Sequence, residues 1–321
     1  MESELFSQPA SEGLFSQNPI EMAASRIGEI IHLVTDRIYS ENPMDERAFL
    51  IIEDQVNECF DIMIELQKAG NFIPEIILHI FSTINERLKS YLDNYVTHLF
   101  ESFEELAGED FDSSYNVVSS YNSKWRAYKK KSRDLCSAFA KMNDMLKDQF
   151  LHPLDPQMAL HFQNMSFFNF LRLSFQSWRD GLIVGDNNLM IISAVLRVIE
   201  AERDGEQIDT CLLSEVVYSY LELGELDRYN SPDGSALSFY EEAFEKYFLE
   251  DTMYYYRREV NYLSMDGCEI DYWTRTQQRL VQERDRAKLY LHESTENKLI
   301  TVCENELTPK YLEDLMSTFK L

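Results

Sequence analysis

Glycine and proline are scarce in this sequence. Only 10 glycines and 8 prolines occur among 321 residues, which is about half of the roughly 12% that the two residues make up in ordinary proteins. Both residues interrupt helices, and no stretch alternates polar and apolar residues for long enough to indicate a strand. The sequence therefore predicts an all-α protein of long amphipathic helices joined by short loops.

Basic residues are few beside the acidic ones. The sequence has 30 Lys and Arg against 56 Asp and Glu, a formal net charge of −26. Because nucleic acids are bound largely through Lys and Arg, this balance argues against nucleic-acid binding. The one basic run, from Trp125 to Arg133, is interpreted as a solvated helix face rather than a nucleic-acid patch.

Membrane and secretion signals are also missing. The first residues lack the basic flank and apolar core of a signal peptide, and no window of about 18 residues is apolar and uncharged. The 5 cysteines are odd in number and include no CxxC pair, as expected for reduced thiols. We therefore expect no membrane partner and a location in the cytoplasm and nucleus.

Signatures of catalysis and of cofactor binding are absent from the sequence. It contains no GxGxxG or GxxxxGK[ST] phosphate loop, no HExxH zinc motif and no GxSxG nucleophile turn. None of the 6 histidines has a second histidine three or four residues away, so a metal site is not indicated. The sequence predicts a protein that is not an enzyme and uses no cofactor.

Residues 1–17 differ from the rest in composition. They contain LFSQ twice, at Leu5–Gln8 and Leu14–Gln17, among Ser, Pro, Gly and Glu. This composition predicts a disordered tail, and the repeat is also compatible with a short partner-binding motif. Helical periodicity then begins at Asn18-Pro19, and the same Asn-Pro pattern at Asn42-Pro43 predicts a second helix with Asn42 as its N-cap.

Three adjacent tyrosines, Tyr254 to Tyr256, precede Arg257 and Arg258. Neighbouring residues on a helix point about 100° apart, so three in a row cannot all face one core. We expect two of these tyrosines in the core and one half-exposed. The alternative is that one lies at a partner interface.

The second half of the sequence contains a string of motifs that resembles one protein family. SAVLRVIEAERDGEQID, from Ser193 to Asp209, looks like the family pattern LIxxERxGExID. FYEEAFEKYFLEDT, from Phe239 to Thr252, with Tyr255-Tyr256 after it, is similar to YxxxFExxFLxxTxxFY. ERDRAKLYLHEST, from Glu283 to Thr295, matches EExRxxxYLHxST. Weaker matches are Trp125–Tyr128, Met142–Asp144 and Ser177–Asp180. On these motifs, residues 115–320 resemble the cullin family, and its cullin-1 type most.

This resemblance implies an elongated stalk of stacked cullin repeats, each a bundle of five helices. We place the first repeat at 18–152, the second at 153–295 and the start of a truncated third at 296–321. It also implies a non-catalytic scaffold of an SCF-like cullin-RING ubiquitin ligase, acting in ubiquitin-dependent protein catabolism. The implied partner is a BTB/POZ-fold adaptor with an F-box-type substrate receptor, and a RING-box protein only if a C-terminal half exists.

The resemblance further places adaptor binding on the second and fifth helices of the first repeat. The candidate residues are Phe49, Ile52 and Val56 on the second helix and Phe139, Met142, Asn143 and Leu146 on the fifth. Ile52 and Val56 stand where cullin-1 types often have tyrosine. An apolar stripe is also what core packing requires, so contact face and core remain open alternatives for each residue.

Two other interpretations remain. The sequence ends at Lys320-Leu321, where a third repeat is expected to begin, and a truncated cullin-like protein would compete with complete cullins for adaptors. A helical-rod tethering protein that shares only the helical repeats would instead have membrane or vesicle partners.

Overall fold

The protein is described by a computed structural model over residues 19–41, 45–70, 74–146, 170–184, 186–230, 235–263 and 269–307. Every regular element in these ranges is helical, which confirms the all-α prediction. The α-helices are α1 (Pro19–Tyr39), α2 (Glu46–Lys68), α3 (Pro74–Glu104), α4 (Phe111–Leu146), α5 (Phe170–Trp178), α6 (Asp186–Arg203), α7 (Thr210–Asn230), α8 (Ala236–Tyr240), α9 (Lys246–Leu263), α10 (Glu269–Tyr290) and α11 (Glu293–Leu307).

The start of α2 differs from the sequence prediction. Asp45 is the N-cap, with extended backbone angles, and its side chain accepts a hydrogen bond from the Ala48 N–H at 2.7 Å. The prediction that Asn42 caps this helix was therefore wrong, although Asn42 itself lies outside the described residues. Asp and Asn cap helices about equally well, so periodicity alone did not choose between the two positions.

The described residues form two compact units. The first unit takes the residues up to Ser90 and those from Asp134 onward in α4, and the second takes Tyr91–Arg133 and the residues from Phe170 onward. The unit boundaries therefore fall within α3 and α4. The repeat boundaries expected from the sequence are a different division, and they stay a prediction.

An aliphatic core holds the first unit together. Its buried side chains include Ile27, Ile31 and Val34 from α1, Ile52, Val56 and Cys59 from α2, Ile84 and Leu88 from α3, and Leu135 and Phe139 from α4. At the surface, Arg26 of α1 pairs with Glu58 of α2, with Nη2 2.8 Å from Oε1. Burial raises the pKa of Cys59 to about 12, so this thiol stays protonated.

The core of the second unit is aromatic at the junction of α4 and α5. The ring centroid of Trp178 lies 4.9 Å from that of Tyr128 and 5.0 Å from that of Trp125. Next to it, Gly181 approaches Val96 of α3 so closely that a Cβ on the glycine would lie 2.7 Å from Val96 Cγ1. Only glycine permits this approach without displacing the Val96 side chain.

Two π-helical turns widen the helices of the second unit. Arg179–Ile183 follows α5, and Glu241–Glu245 joins α8 to α9. The Asn188 side-chain amide donates to the Ala243 carbonyl in the second turn at 2.9 Å, and the Tyr220 hydroxyl donates to Asn188 Oδ1 at 2.6 Å. Asn188 therefore ties α6 and α7 to this turn.

The basic run on α4 is partly engaged within the second unit. Lys129 Nζ lies 2.7 Å from Glu222 Oε2 and 5.2 Å from the centroid of the Trp125 ring. Lys131 Nζ donates to the Tyr95 hydroxyl at 3.2 Å. Arg126, Lys130 and Arg133 are exposed, so the run is a solvated helix face only in part.

Candidate functional site

The candidate residues on α2 fall into two groups. Ile52 and Val56 are only 2% and 6% exposed and pack in the core of the first unit. Phe49, by contrast, is 55% exposed. The structure thus gives Ile52 and Val56 the core position, one of the two alternatives, while the adaptor role of all three residues stays a prediction.

The candidate residues on the fifth helix of the predicted repeat all lie on α4. Phe139 is fully buried in the first unit. Met142, Asn143 and Leu146 follow in the last turns of α4, and their side chains lie outside the described residues. Among the α4 candidates, only Phe139 can therefore be assigned a place, and that place is the core.

Leu50 is a surface residue that the sequence reasoning missed. It is 55% exposed, directly after Phe49, so two large apolar side chains stand in water at the start of α2. The signal was present in the sequence: Leu50 stands two positions before Ile52, so on a helix it points away from the stripe to which Ile52 belongs. The predicted stripe contains Phe49, Ile52 and Val56 but not Leu50.

The three family-like motifs of the second half meet in a buried charge cluster formed by Arg203, Thr252, Tyr256, Glu283 and Arg286. The side chains of Arg203 and Glu283 are both 0% exposed, and Arg203 Nε lies 3.0 Å from Glu283 Oε1. Arg203 also donates to Thr252 Oγ1 at 2.7 Å. The cluster therefore links α6, α9 and α10.

Glu283 is the acceptor at the centre of this cluster. Its Oε1 also accepts from Arg286 at 2.8 Å and from the Tyr256 hydroxyl at 2.6 Å. Burial alone would raise the pKa of Glu283, but the charges of Arg203 and Arg286 outweigh it and hold that pKa below its ordinary value. Burial, and then the charge of Glu283, raises the pKa of Tyr256, so the phenol remains a donor.

The tyrosine prediction on α9 is confirmed. Tyr255 is 7% exposed and Tyr256 is fully buried, whereas Tyr254 is 58% exposed. Tyr255 donates to Asp204 Oδ1 at 2.7 Å. Two of the three tyrosines therefore belong to the core of the second unit, as expected from the angles between them.

We expect the charge cluster to make the second unit sensitive to acid. Because the pKa of Glu283 is lower in the folded protein than its ordinary value of 4.5, the unfolded chain binds this proton more tightly. The stabilisation from Glu283 is present above that ordinary value and is lost as the pH falls through the folded pKa. The measurement is the free energy of unfolding in urea between about pH 7 and pH 3, for the natural protein and Glu283→Gln.

Tryptophan fluorescence reports this unfolding for the second unit alone, because Trp125, Trp178 and Trp273 all lie in it. The difference between the two proteins should shrink as the pH falls. A difference that stays constant over the range would show that the pKa of Glu283 is the same in the folded and the unfolded protein, and would contradict the prediction.

The described residues contain neither a metal-ligand cluster nor a single helix of membrane-spanning character. Among them, no group of three His, Cys, Asp or Glu side chains is arranged to hold a metal ion. Within the same ranges, no single helix is long and apolar enough to cross a membrane. Of the helix pairs in the described ranges, one, Phe170–Ile183 with Asn187–Arg203, passes that test of length and composition when its two helices are taken together, and it is bent by 74°.

The family assignment follows from comparison with known proteins. The family model for the cullin alpha solenoid domain matches residues 71–321, a range that includes α3 to α11. Cullin-1 of Caenorhabditis elegans is 31% identical over 239 residues, which cover 73% of this chain and 29% of that protein. Cullin-1 of Dictyostelium discoideum is 35% identical over 148 residues, 46% of this chain and 19% of that protein.

Cullin-6 of Caenorhabditis elegans is 25% identical over 285 residues, 88% of this chain and 34% of that protein. The chain spans less than a third of the length of the two cullin-1 proteins. The family match begins after α2, so the exposed pair Phe49 and Leu50 lies before it. The resemblance read from the motifs is confirmed: the chain belongs to the cullin family.

Proposed function

We propose that this chain is the adaptor-binding part of a cullin scaffold in an SCF-like ubiquitin ligase. Membership of the cullin family supports this role. In the proposal, the first repeat holds a BTB/POZ-fold adaptor, which brings an F-box-type substrate receptor. A RING-box protein belongs to the proposal only if a C-terminal cullin half is present, and the complex acts in the cytoplasm and nucleus.

The exposed apolar pair on α2 is the observation on which adaptor binding rests. Phe49 and Leu50 are each 55% exposed at the start of the helix. Glu53 and Asp54, which follow directly, are exposed as well. Large aromatic and aliphatic side chains contribute most of the affinity at protein interfaces when a partner removes them from water. We therefore assign the adaptor contact to Phe49 and Leu50 rather than to the buried Ile52 and Val56.

The second unit supports a scaffold role without a catalytic step. Its aromatic core connects α4 to α5, and its buried charge cluster connects α6, α9 and α10. In the proposed ligase, a rigid arrangement keeps the bound substrate at a defined distance from the ubiquitin-loaded enzyme. Such a distance sets the effective concentration at the target lysine.

The test is a binding measurement with a panel of purified BTB/POZ-fold adaptors. We expect the chain to capture at least one adaptor, and Phe49→Lys to weaken that binding about ten-fold or more, as for a hot-spot residue. Met22→Lys is the matched control, because Met22 is on α1 of the same unit and is also 55% exposed. Ile52→Lys is unsuitable, since a buried lysine would destabilise the first unit.

Each outcome of this experiment is informative. If the natural chain binds none of the adaptors, the proposal is wrong. If the Phe49→Lys chain binds the adaptor as tightly as the Met22→Lys chain does, the adaptor contact is not on this face of α2. Added to a reconstituted complete ligase, the chain should compete for the adaptor and reduce substrate ubiquitination.

A further inference from the structure

Two exposed stripes, on helices of different units, carry complementary side chains at the same spacing. The α2 stripe consists of Leu50, Asp54, Asp61 and Glu65. The α10 stripe consists of Trp273, Gln277, Arg284 and Lys288. In each stripe the second, third and fourth residues follow the first by four, eleven and fifteen positions. This spacing returns to the same face of a helix and spans about 22 Å.

The α2 stripe is apolar at its start and acidic along the rest. Leu50 is 55% exposed, and the three acids after it are exposed. None of these acids forms an ion pair in the part of the chain that the structure describes. Ile52, Val56 and the other buried residues of α2 lie on the opposite side, so the stripe faces water.

The α10 stripe is apolar at its start and basic at its end. Trp273 is 46% exposed, and Val281, which lies between Gln277 and Arg284 on the same face, is 54% exposed. Arg284 and Lys288 are exposed and form no ion pair with any described residue. Asp285 borders the stripe as the one exposed acid among residues 272–290. A face of this composition is unusual in a chain with a net charge of −26.

The opposite side of α10 is held firmly in the second unit. Glu283 and Arg286 belong to the buried charge cluster, and Tyr272 donates to the Leu307 carbonyl at 2.6 Å. The stripe is therefore presented on a helix whose rotation is fixed by buried contacts. A rigid surface loses little conformational entropy when a partner binds.

From this match we infer that the α2 stripe of one molecule docks on the α10 stripe of a second molecule. With the two helices side by side and parallel, Leu50 lies opposite Trp273, and Asp54 lies opposite Gln277. In the same register Asp61 lies opposite Arg284, and Glu65 lies opposite Lys288. Charged pairs of this kind between parallel helices determine partner choice and orientation.

The geometry of this contact has two consequences. The surfaces on the two molecules are different, so the contact is heterologous and continues from molecule to molecule. Its area, that of two short helix faces, is at the low end for protein interfaces, so the association is weak and depends on salt. If the proposed function is right, self-association also covers Leu50 beside Phe49 and competes with the adaptor.

The test is sedimentation velocity of the full chain over a range of concentrations at about 50 and 500 mM NaCl. We expect the average mass to rise with concentration at low salt and to fall at high salt. Arg284→Glu with Lys288→Glu should weaken self-association about ten-fold or more, and so should Asp61→Lys with Glu65→Lys. Arg275→Glu is the control, because Arg275 is exposed on another side of α10 and should leave the association unchanged.

A mixture of the two doubly substituted proteins gives the sharpest result. Each alone should self-associate about ten-fold or more weakly than the natural chain, because its two stripes then have the same charge sign. Mixed together, each provides the opposite charge for the other, and association should return. All four substituted positions are exposed, so we expect both proteins to fold. A helical circular dichroism spectrum equal to that of the natural chain would verify this. A natural chain that stays monomeric at low salt, or a mixture that does not associate, would overturn the inference, whatever the adaptor measurement gives.

Discussion

Replacing Glu283 by glutamine is expected to lower the free energy of unfolding of the second unit by about 3–5 kcal/mol. The substitution preserves the shape of the side chain but removes the charge that Arg203 faces at 3.0 Å. Arg203 is then a buried cation whose remaining carboxylate neighbour, Asp251, lies 3.8 Å away. A charge in the interior without a close partner is strongly destabilising, whereas the same loss at the surface is not.

The measurement is urea denaturation at neutral pH, followed by tryptophan fluorescence. Arg257→Met is the matched control. It also breaks an Arg–Glu pair of the second unit, with Glu306 at 2.7 Å, but the Arg257 side chain is 53% exposed. That control should cost less than about 1 kcal/mol. Equal losses from the two substitutions would show that the Arg203–Glu283 pair is not the buried link described above.

A double substitution tests whether the two charges of the Arg203–Glu283 pair depend on each other for their effect on stability. Replacing Arg203 by methionine and Glu283 by leucine together removes both charges and leaves apolar side chains in their place. The combined loss should be smaller than the sum of the two single losses, because neither charge is left alone. Additive losses would mean that the two side chains act independently.

The charge cluster shows what could and could not be predicted from the sequence. The motifs that contain Arg203, Thr252 and Glu283 were recognised as a family pattern, and the helices that hold them follow from periodicity. Arg203 and Glu283 are separated by 80 positions in the chain. Periodicity describes one helix at a time, so it does not indicate that these two charges meet in a core.

The adaptor candidates illustrate a different limit. Ile52 and Val56 fit an apolar stripe, and such a stripe is required both by a core and by a contact face. Only the folded structure decides between the two: α2 packs against α1, and both residues are buried. Phe49 belongs to the same stripe by spacing, yet it stands at the start of the helix and remains in water.

Replacing Trp178 by alanine is expected to lower the free energy of unfolding of the second unit by about 3–5 kcal/mol. Trp178 is fully buried, with ring centroids of Trp125, Tyr128 and Tyr121 at 5.0, 4.9 and 5.8 Å. Alanine leaves a cavity that these rings cannot fill without leaving their own contacts, since Tyr128 donates to the Ser174 carbonyl at 2.8 Å. Unfolding is followed by the fluorescence of the two remaining tryptophans, of which Trp125 reports from the same cluster.

Trp273→Ala is the matched control for this substitution, and it also separates stability from self-association. Trp273 is 46% exposed, so its loss should change the free energy of unfolding by no more than about 0.5 kcal/mol. The same substitution removes the apolar end of the α10 stripe and should therefore weaken self-association. Trp178→Ala should leave self-association unchanged at urea concentrations at which the protein is still folded. If Trp273→Ala destabilises the second unit as much as Trp178→Ala does, Trp273 is part of the core, and the α10 stripe loses the residue on which docking depends.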